Sequence, residues 1–575
     1  MGAVVKPRTP VLAGGSRIPA LVLFVVLAWF FATFIYFPNL SIILAVFDTE
    51  DGLGSLYKRL TSSSRVVNGI IETGIVAVIS LITVNIVGIS QVFLLEGVKI
   101  RGKKLLTVAF ALPLVFGSVS AVSGYALVYG RTGLLTGALQ SIIPSLPEDW
   151  FIGRWGVIFI HTFSMTGFHF LFLRPAVRQV DFSLVEAARS LGMNPVRALV
   201  SVVLPAIRPM LLTTTLMVLI MATSSFAAPH ILGGPGFTMV GPLVLTLNNI
   251  GRPDMAAMLA LMLGFVTGGL MFVALRSERR FAAMAASKVP VPFEPVEISS
   301  RAGAIGAHTL AYVLAFINLL PFAATILLSV SPLEDIRSNR ISLTPTLAHY
   351  RGILTDSDLF EPLRNSLGLS IMAVSAAVLI GSIAAVILHR RGDFVGDAVQ
   401  ISVFLPYFLP GILIAIGFLL AFGGPTALLG NRVLVGSYGI LPLAYIVMLL
   451  PLVVRLVGAG LAGIDGSLDE AAQSLGAGSA RRALLVSLPL LAPVLVQTAA
   501  ISFNGTFDEY TLSVMLHNIN NRPLGVVLGT LAGSNDPSEV GTVTGYIVTN
   551  TLVALSVILV ADRMAARAAR RSVGR

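Results

Sequence analysis

The chain has 575 residues, of which 55% are hydrophobic and only 12% are charged, and its mean hydropathy is +0.88. Soluble globular proteins carry about 25% charged residues, so this composition excludes that class and indicates an integral membrane protein. The chain has no cysteine, which excludes disulfides, cysteine-zinc sites and thiol catalysis, and its net charge of +11 is explained below by membrane topology rather than by nucleic acid.

Six apolar runs follow one another in the first half of the chain. The first, at 18–47, comes after Lys6, Arg8 and Arg17. It is too long and too aromatic for a signal-peptide core, so we expect a retained helix after a cytoplasmic N-terminus at 1–17. The other spans are predicted at 66–95, 105–129, 152–173, 199–228 and 254–275. Basic clusters after every second run predict which ends are cytoplasmic, because cytoplasmic loops are enriched in Lys and Arg.

A basic, Pro-containing segment at 276–305 predicts a cytoplasmic linker, after which the same plan is repeated. Its six spans are predicted at 306–330, 364–388, 399–422, 434–458, 484–505 and 543–561. The basic tail at 563–575 is again expected in the cytoplasm. The predicted fold is therefore an all-α polytopic membrane protein with about twelve transmembrane helices, in a first half at 18–275 and a second half at 306–562. Asn68 and Asn365 are taken as matching positions at the start of the second span of each half.

One polar segment occurs twice, at 180–209 (repeat A) and at 464–493 (repeat B). Set 284 residues apart without a gap, ten of the first eighteen positions are identical, which shows an internal repeat. Asp181 and Asp465 are expected to cap a helix, with Ser183 and Ser467 as alternatives. A glycine then permits the positive φ that ends the helix, and a Leu-Pro pair marks the next apolar helix. Because the repeats have the same orientation, we expect parallel halves related by an axis along the membrane normal.

The repeats resemble the EAA loop of the permeases of type I ABC importers. The matching residues are Glu-Ala-Ala, the Gly six positions after the Glu and the final Leu-Pro, in both copies. The resemblance implies a fused permease with the MetI-like fold, in a bacterial inner membrane, with both termini in the cytoplasm. It also implies that repeats A and B contact a separate ATPase through Asp181, Glu186, Ala187, Ala188, Gly192, Arg197, Asp465, Glu470, Ala471, Ala472, Gly476 and Arg481.

The same resemblance implies the partners of the chain. Two copies of a cytoplasmic ATPase, which binds ATP and Mg²⁺, and a periplasmic or lipid-anchored solute-binding protein are expected, together with membrane lipid. No nucleic acid and no cofactor or metal ion of this chain's own are expected. No constellation for catalysis occurs in the sequence, so ATP hydrolysis is assigned to the partner.

A few ionisable residues lie in or beside the apolar runs, where a charge is costly. Asp508 and Glu509 follow the eleventh span and match Ser224 and Ser225 by the 284-residue offset. Two interpretations stay open: these four residues line the translocation path, or the acidic pair is solvated in an outer loop. Glu72 is expected to pair with a buried polar group.

Two further patterns point to sites that the sequence does not favour. His161 and His169 lie eight residues apart, about 12 Å along a helix, which is too far for one metal ion. Packing or hydrogen bonding to a neighbouring helix is expected for them instead. The run from Gly97 to Lys103 has the spacing of a phosphate-binding loop, but no Ser or Thr follows the Lys and no strand precedes it. A basic cytoplasmic loop explains this run better.

The substrate is suggested by family branches only. Fused permeases of this length resemble those of ferric-iron importers, and Tyr129 to Leu135 is similar to a segment of that branch. Ser225 to Pro229 resembles the 2-aminoethylphosphonate branch equally well. Ferric iron is the expected cargo, with 2-aminoethylphosphonate, polyamines and thiamine as alternatives. A gradient-driven secondary transporter and a non-transporting scaffold are the alternatives from other classes, but neither explains the duplicated segment.

Overall fold

A computed structural model of the chain describes residues 17–47, 52–114, 116–131, 133–282, 293–298, 300–338, 344–532, 534 and 536–573. Within these residues ten helices are long and apolar enough to cross a membrane, and two bent helix pairs raise the number to twelve. The predicted all-α membrane fold is confirmed. The predicted N-terminal segment lies outside the described residues up to position 16, as do 283–292 and 299 of the linker and the last two residues of the tail.

The twelve spans are numbered in chain order. Spans 1 to 6 are Leu21–Phe47, Ser64–Gly97, the pair Lys103–Leu114 and Ser118–Ile142, Arg154–Arg178, Pro195–Thr223 and Pro253–Arg276. Spans 7 to 12 are Arg301–Ser329, Ser357–Arg390, the pair Phe394–Phe408 and Gly411–Phe422, Ile440–Ala462, Leu484–Phe507 and Pro537–Ala568. Shorter helices connect them at Gly52–Ser62, Phe182–Ser190, Ala227–Leu232, Val240–Asn249, Leu333–Arg337, Ala348–Thr355, Gly466–Ser474, Thr511–Leu516 and Leu524–Leu531.

Spans 3 and 9 are broken, so the prediction of continuous helices at 105–129 and 399–422 is wrong. The two helices of span 9 are bent by 110°. Pro406 lies in the 3₁₀ turn that ends the first of them and Pro410 precedes the second; Pro113 occupies the corresponding turn of span 3. Proline removes a backbone donor and disfavours helical geometry in the residue before it, which explains why both spans break at these points.

The two halves share one element order with a fixed correspondence. Helices in spans 2 and 8 begin at Ser64 and Ser357, 293 residues apart, whereas everything from repeat A onward lies 284 residues from its counterpart. One hydrogen bond recurs in both halves. The Val240 N–H donates to Thr73 Oγ1 at 2.8 Å, and the Leu524 N–H donates to Ser366 Oγ at 2.9 Å.

This recurring bond corrects the predicted match between Asn68 and Asn365. With Thr73 equivalent to Ser366, Asn365 corresponds to Glu72, four positions later than Asn68. A slip of four residues is about one helical turn and leaves the same face of the helix in contact, so the apolar pattern does not reveal it. A single identical residue in such a helix is weak evidence for alignment.

The chain divides into two compact units that cut across the sequence halves. One unit comprises the described residues of 53–360 and 527–549; in it, span 7 packs on span 3, with the Phe322 and Phe116 rings 3.8 Å apart. The other comprises those of 1–52, 361–526 and 550–575; in it, span 1 packs on span 9, where Phe34 lies 5.7 Å from Phe422. Each unit thus includes the first span of the other half, and the boundaries 18–275 and 306–562 stay a prediction about the sequence.

Candidate functional site

Repeat A is a helix, a glycine turn and a second, short helix. Asp181 caps Phe182–Ser190 by accepting a hydrogen bond from the Ser183 N–H at 3.1 Å. Gly192 has φ +88°, and the next N–H, of Met193, donates to the Ala188 carbonyl at 3.2 Å. A left-handed residue closed by such bonds is a common helix C-terminus and strongly favours glycine. The predicted cap and turn are therefore both present.

Repeat B has the same geometry, position for position. Asp465 caps Gly466–Ser474 through the Ser467 N–H at 2.9 Å, and this bond lowers the pKa of Asp465. Gly476 has φ +79°, and the following N–H donates to the Ala472 carbonyl at 3.0 Å. The last Ala of each Glu-Ala-Ala motif therefore contributes its carbonyl group to the turn.

Each repeat leads into its span through a stretch of π-helix. These stretches are Leu199–Val203 after repeat A's short helix and Ala483–Ser487 after that of repeat B. Their wider hydrogen-bonding pattern is rare and is frequent at functional sites. The helices Leu204–Thr223 and Leu488–Phe507 then begin with the Leu-Pro pair, as the sequence predicts. A junction of unusual geometry thus connects each polar segment to a membrane span.

The tip of each repeat exposes one large apolar side chain. Leu191 is 84% exposed and Leu475, its counterpart, is 89% exposed. Glu186 and Glu470 are exposed as well, and within the described residues their carboxylates have no ion-pair or hydrogen-bond partner. An exposed leucine beside a free carboxylate, present twice at matched positions, is typical of a surface that binds another protein.

The other predicted contact residues divide by exposure. Ala187, Gly192, Arg197, Ala471, Gly476 and Arg481 are exposed, Asp465 is exposed, and Asp181 and Ala472 are half-buried. Ala188 is buried, in an apolar cluster with Phe182, Val185 and Ala198. Its expected direct contact with a partner is therefore not supported by its position, because the side chain faces the body of the protein.

Repeat B packs differently from repeat A. No side chain of Gly466–Ser474 is buried, and the positions of Val185 and Ala198 are taken by Asp469 and Arg482. These two form an ion pair at 3.0 Å, and Arg482 also donates to Gln473 at 3.0 Å. The sequence analysis did not single out this pair, although a charged residue at two equivalent apolar positions is a signal that could have revealed it.

The four residues predicted for the translocation path directly follow spans 5 and 11. Ser225 Oγ lies 2.8 Å from His161 Nε2, and Ser80 Oγ lies 3.0 Å from Nδ1 of the same ring. Ser224 Oγ donates to the carbonyl of Ile220 at 2.8 Å. The hydroxyl groups therefore belong to local hydrogen-bond networks at the ends of these spans.

Asp508 and Glu509 are not solvated, so that interpretation of the acidic pair is wrong. Asp508 is 4% exposed and accepts a hydrogen bond from Asn550 Nδ2 at 3.1 Å. Glu509 is half-buried and accepts from the N–H groups of Leu512 and Ser513 at 2.8 and 3.0 Å, which caps the helix Thr511–Leu516. Burial raises the pKa of Glu509, against these hydrogen bonds, which lower it.

The remaining ionisable residues have partners inside the protein. Glu72 forms the expected ion pair, with Arg154. His169 Nε2 lies 3.1 Å from Asn85 Oδ1, so the two histidines serve separate networks, as expected. Lys103, the last residue of the loop that resembles a phosphate site, binds Glu96 at 3.2 Å.

Glu96 was missed by sequence reasoning. It is 4% exposed and, besides Lys103, binds Arg174 at 2.6 Å and Arg178 at 2.9 Å. The available signal was an acidic residue at the end of an apolar span, since a buried charge requires partners. This cluster joins the ends of spans 2 and 4 immediately before repeat A.

Twelve spans in two copies of one plan, each copy with a polar helix and turn between spans, define a multi-pass membrane permease of the ABC-importer class. The chain belongs to the family described as binding-protein-dependent transport system inner membrane component, whose model matches residues 105–283 and 377–573. The matched ranges contain repeats A and B and cover more than half of the chain. The predicted family is therefore confirmed.

Relatives of full length support the same conclusion. A probable ABC transporter permease protein, y4fN of Sinorhizobium fredii, is 41% identical over 94% of this chain and 95% of its own length. A putative ferric transport system permease protein, FbpB 1 of Haemophilus influenzae, is 23% identical over 90% of this chain and 80% of its own. A putative 2-aminoethylphosphonate transport system permease protein, PhnU of Salmonella typhi, is 27% identical over 36% and 72% respectively.

Proposed function

We propose that this chain forms the translocation path of an ATP-driven importer and that repeats A and B dock on two copies of a separate ATPase. The observation that carries this proposal is the pair of exposed tips, with Leu191 and Leu475 at matched positions beside free carboxylates. ATP and Mg²⁺ are bound by the ATPase, which closes around them and moves both repeats. The rigid capped helices transmit this movement to spans 5 and 11 through the π-helical junctions.

The orientation follows from the basic residues. The repeats, the linker and both termini face the cytoplasm of a bacterial cell, because their segments are rich in Lys and Arg. A periplasmic or lipid-anchored binding protein delivers the solute to the opposite face. The family match favours this mechanism over a gradient-driven carrier or a scaffold, for which the duplicated docking segments have no purpose.

Ferric iron is the proposed cargo. This assignment is supported by full-length relatives named as ferric transport permeases, in Haemophilus influenzae and Actinobacillus pleuropneumoniae. Ser224, Ser225, Asp508 and Glu509 are the proposed path residues, because they follow the matched spans 5 and 11 and two of them are carboxylates. 2-Aminoethylphosphonate is the second candidate, supported by relatives named for that cargo at 27% identity over about a third of the chain.

The test uses the binding protein and ATPase encoded beside this permease. Thermal shift of the purified binding protein against ferric salts, 2-aminoethylphosphonate, polyamines and thiamine identifies the ligand. Proteoliposomes containing permease and ATPase, with ATP inside and loaded binding protein outside, should then accumulate ⁵⁵Fe(III) only when ATP is present. Uptake of the phosphonate instead would overturn the iron assignment, and loss of ATP dependence would overturn the importer mechanism.

A further inference from the structure

A short stretch of the linker, residues 293–298, lies against repeat A. Its central residue, Val296, makes backbone hydrogen bonds in both directions. The Val296 N–H donates to the Gly97 carbonyl at 2.8 Å, and the Lys99 N–H donates to the Val296 carbonyl at 3.1 Å. Lys99 Nζ also binds Glu297 at 2.9 Å. The stretch is therefore paired, as a single parallel bridge, with the chain that leaves span 2.

The side chains of the same stretch pack on the helix of repeat A. Val296 is buried in the apolar cluster that contains Phe182, Val185 and Ala188. The ring of Phe293 meets that of Phe182 edge-on, with centroids 5.6 Å apart. Residues 293–298 thus contact the end of span 2 through their backbone and repeat A through their side chains, and so hold the two together.

A second contact fixes the other approach to repeat A. Arg174 and Arg178, in the last turns of span 4, bind the buried Glu96 at the end of span 2. Arg178 precedes the cap residue Asp181 by three positions, so this ion cluster fixes the chain immediately before the repeat. Both ends of repeat A are therefore attached to span 2.

Repeat B has neither attachment within the described residues. The positions equivalent to Glu96, Arg174 and Arg178 are His389, Gly458 and Ala462, which cannot form such a cluster. No linker stretch packs on Gly466–Ser474, whose side chains are all at least partly exposed. The ion pair between Asp469 and Arg482 holds repeat B together, but it joins residues of the repeat to each other only.

We propose that residues 293–298 are a clip that holds repeat A on the end of span 2, so that a pull on repeat A moves span 2 together with span 5. Repeat B lacks the clip and takes its final position from the ATPase that binds it. The first statement concerns this chain alone, and the second rests on the proposed function. The two repeats of the permease are thus mechanically unequal, although their sequences match.

Hydrogen exchange of the whole chain in nanodiscs, without ATPase, tests the clip directly. Amides of 182–190 should exchange at least about tenfold more slowly than those of 466–474, and Phe293→Ala should remove this difference by accelerating 182–190 alone. Phe293→Leu, which retains an apolar contact, is the matched control and should change the rates little. Equal rates in the two repeats of the native chain, or no response to Phe293→Ala, would overturn the clip.

A second measurement tests the mechanical consequence. In proteoliposomes with ATPase and binding protein, Phe293→Ala should hydrolyse ATP at a rate close to that of the native complex, with several-fold less solute imported per ATP. An unchanged ratio of uptake to hydrolysis would refute transmission through the clip, because a purely structural contact would leave that ratio constant. If no ATPase binds at all, the proposed function fails, while the exchange experiment still decides whether the clip exists.

Discussion

Asp469 and Arg482 form a 3.0 Å ion pair inside repeat B, at the two positions where repeat A has Val185 and Ala198. Arg482 is 3% exposed, so its charge depends on this partner and on Gln473. The same loop geometry is therefore stabilised by a salt bridge in one copy and by apolar packing in the other.

Removing one partner of this pair should loosen repeat B. Asp469→Val leaves the buried guanidinium short of an acceptor, which costs about 1–2 kcal/mol after allowance for the partial exposure of the Asp469 side chain. The double variant Asp469→Val with Arg482→Ala reproduces the residues of repeat A and should recover much of the loss. Hydrogen exchange of 466–474 measures both, and a double variant no more protected than the single would contradict the argument.

Charge reversal on both repeats should prevent ATPase docking. Glu186→Lys with Glu470→Lys places repulsive charges on the exposed faces that meet the partner, which disfavours assembly. Because both carboxylates are free of partners in this chain, the variant should enter the membrane in normal amounts. Retention of ATPase in a pull-down is the measurement. Glu334→Lys with Asp335→Lys changes the net charge equally, away from the repeats, and should retain the ATPase.

The exposed leucines should act as anchors for the same partner. Leu191→Ala with Leu475→Ala removes side chains that are almost fully exposed, so the fold should be unaffected. The affinity for the ATPase should fall at least tenfold, since a central apolar anchor is typically worth about 2 kcal/mol or more. Ile519→Ala is the control, because Ile519 is 90% exposed but lies outside the repeats. Equal affinities of the leucine double variant and the control would exclude the leucines from the interface.

Much of this arrangement follows from local sequence. Span positions follow from apolar runs of sufficient length, and the caps at Asp181 and Asp465 and the turns at Gly192 and Gly476 follow from the conformational preferences of those residues. These signals act within a few residues of the chain, so a single sequence contains them. The 284-residue repeat strengthened each of them by showing it twice.

What the sequence did not reveal depends on distant partners. Glu96 meets Arg174 across 78 positions, and Val296 pairs with the chain after span 2 across almost 200. The packing of span 1 on span 9 is equally non-local. Apolar periodicity reports that a face is buried, without reporting against what. The breaks in spans 3 and 9 could have been predicted, because Pro113 and Pro406 stand inside the predicted helices.

The last prediction separates structure from transport at Glu509. Its carboxylate caps Thr511–Leu516, so Glu509→Ala should destabilise this helix by about 1 kcal/mol, whereas Glu509→Gln keeps an oxygen acceptor and should fold normally. If the carboxylate also receives a cationic cargo, the Gln variant should import several-fold less ferric iron while ATPase binding stays intact. Uptake in the proteoliposome assay, with hydrogen exchange of 511–516 as the folding control, measures the difference. Native uptake by a correctly folded Glu509→Gln variant would remove Glu509 from the path and leave it a helix cap.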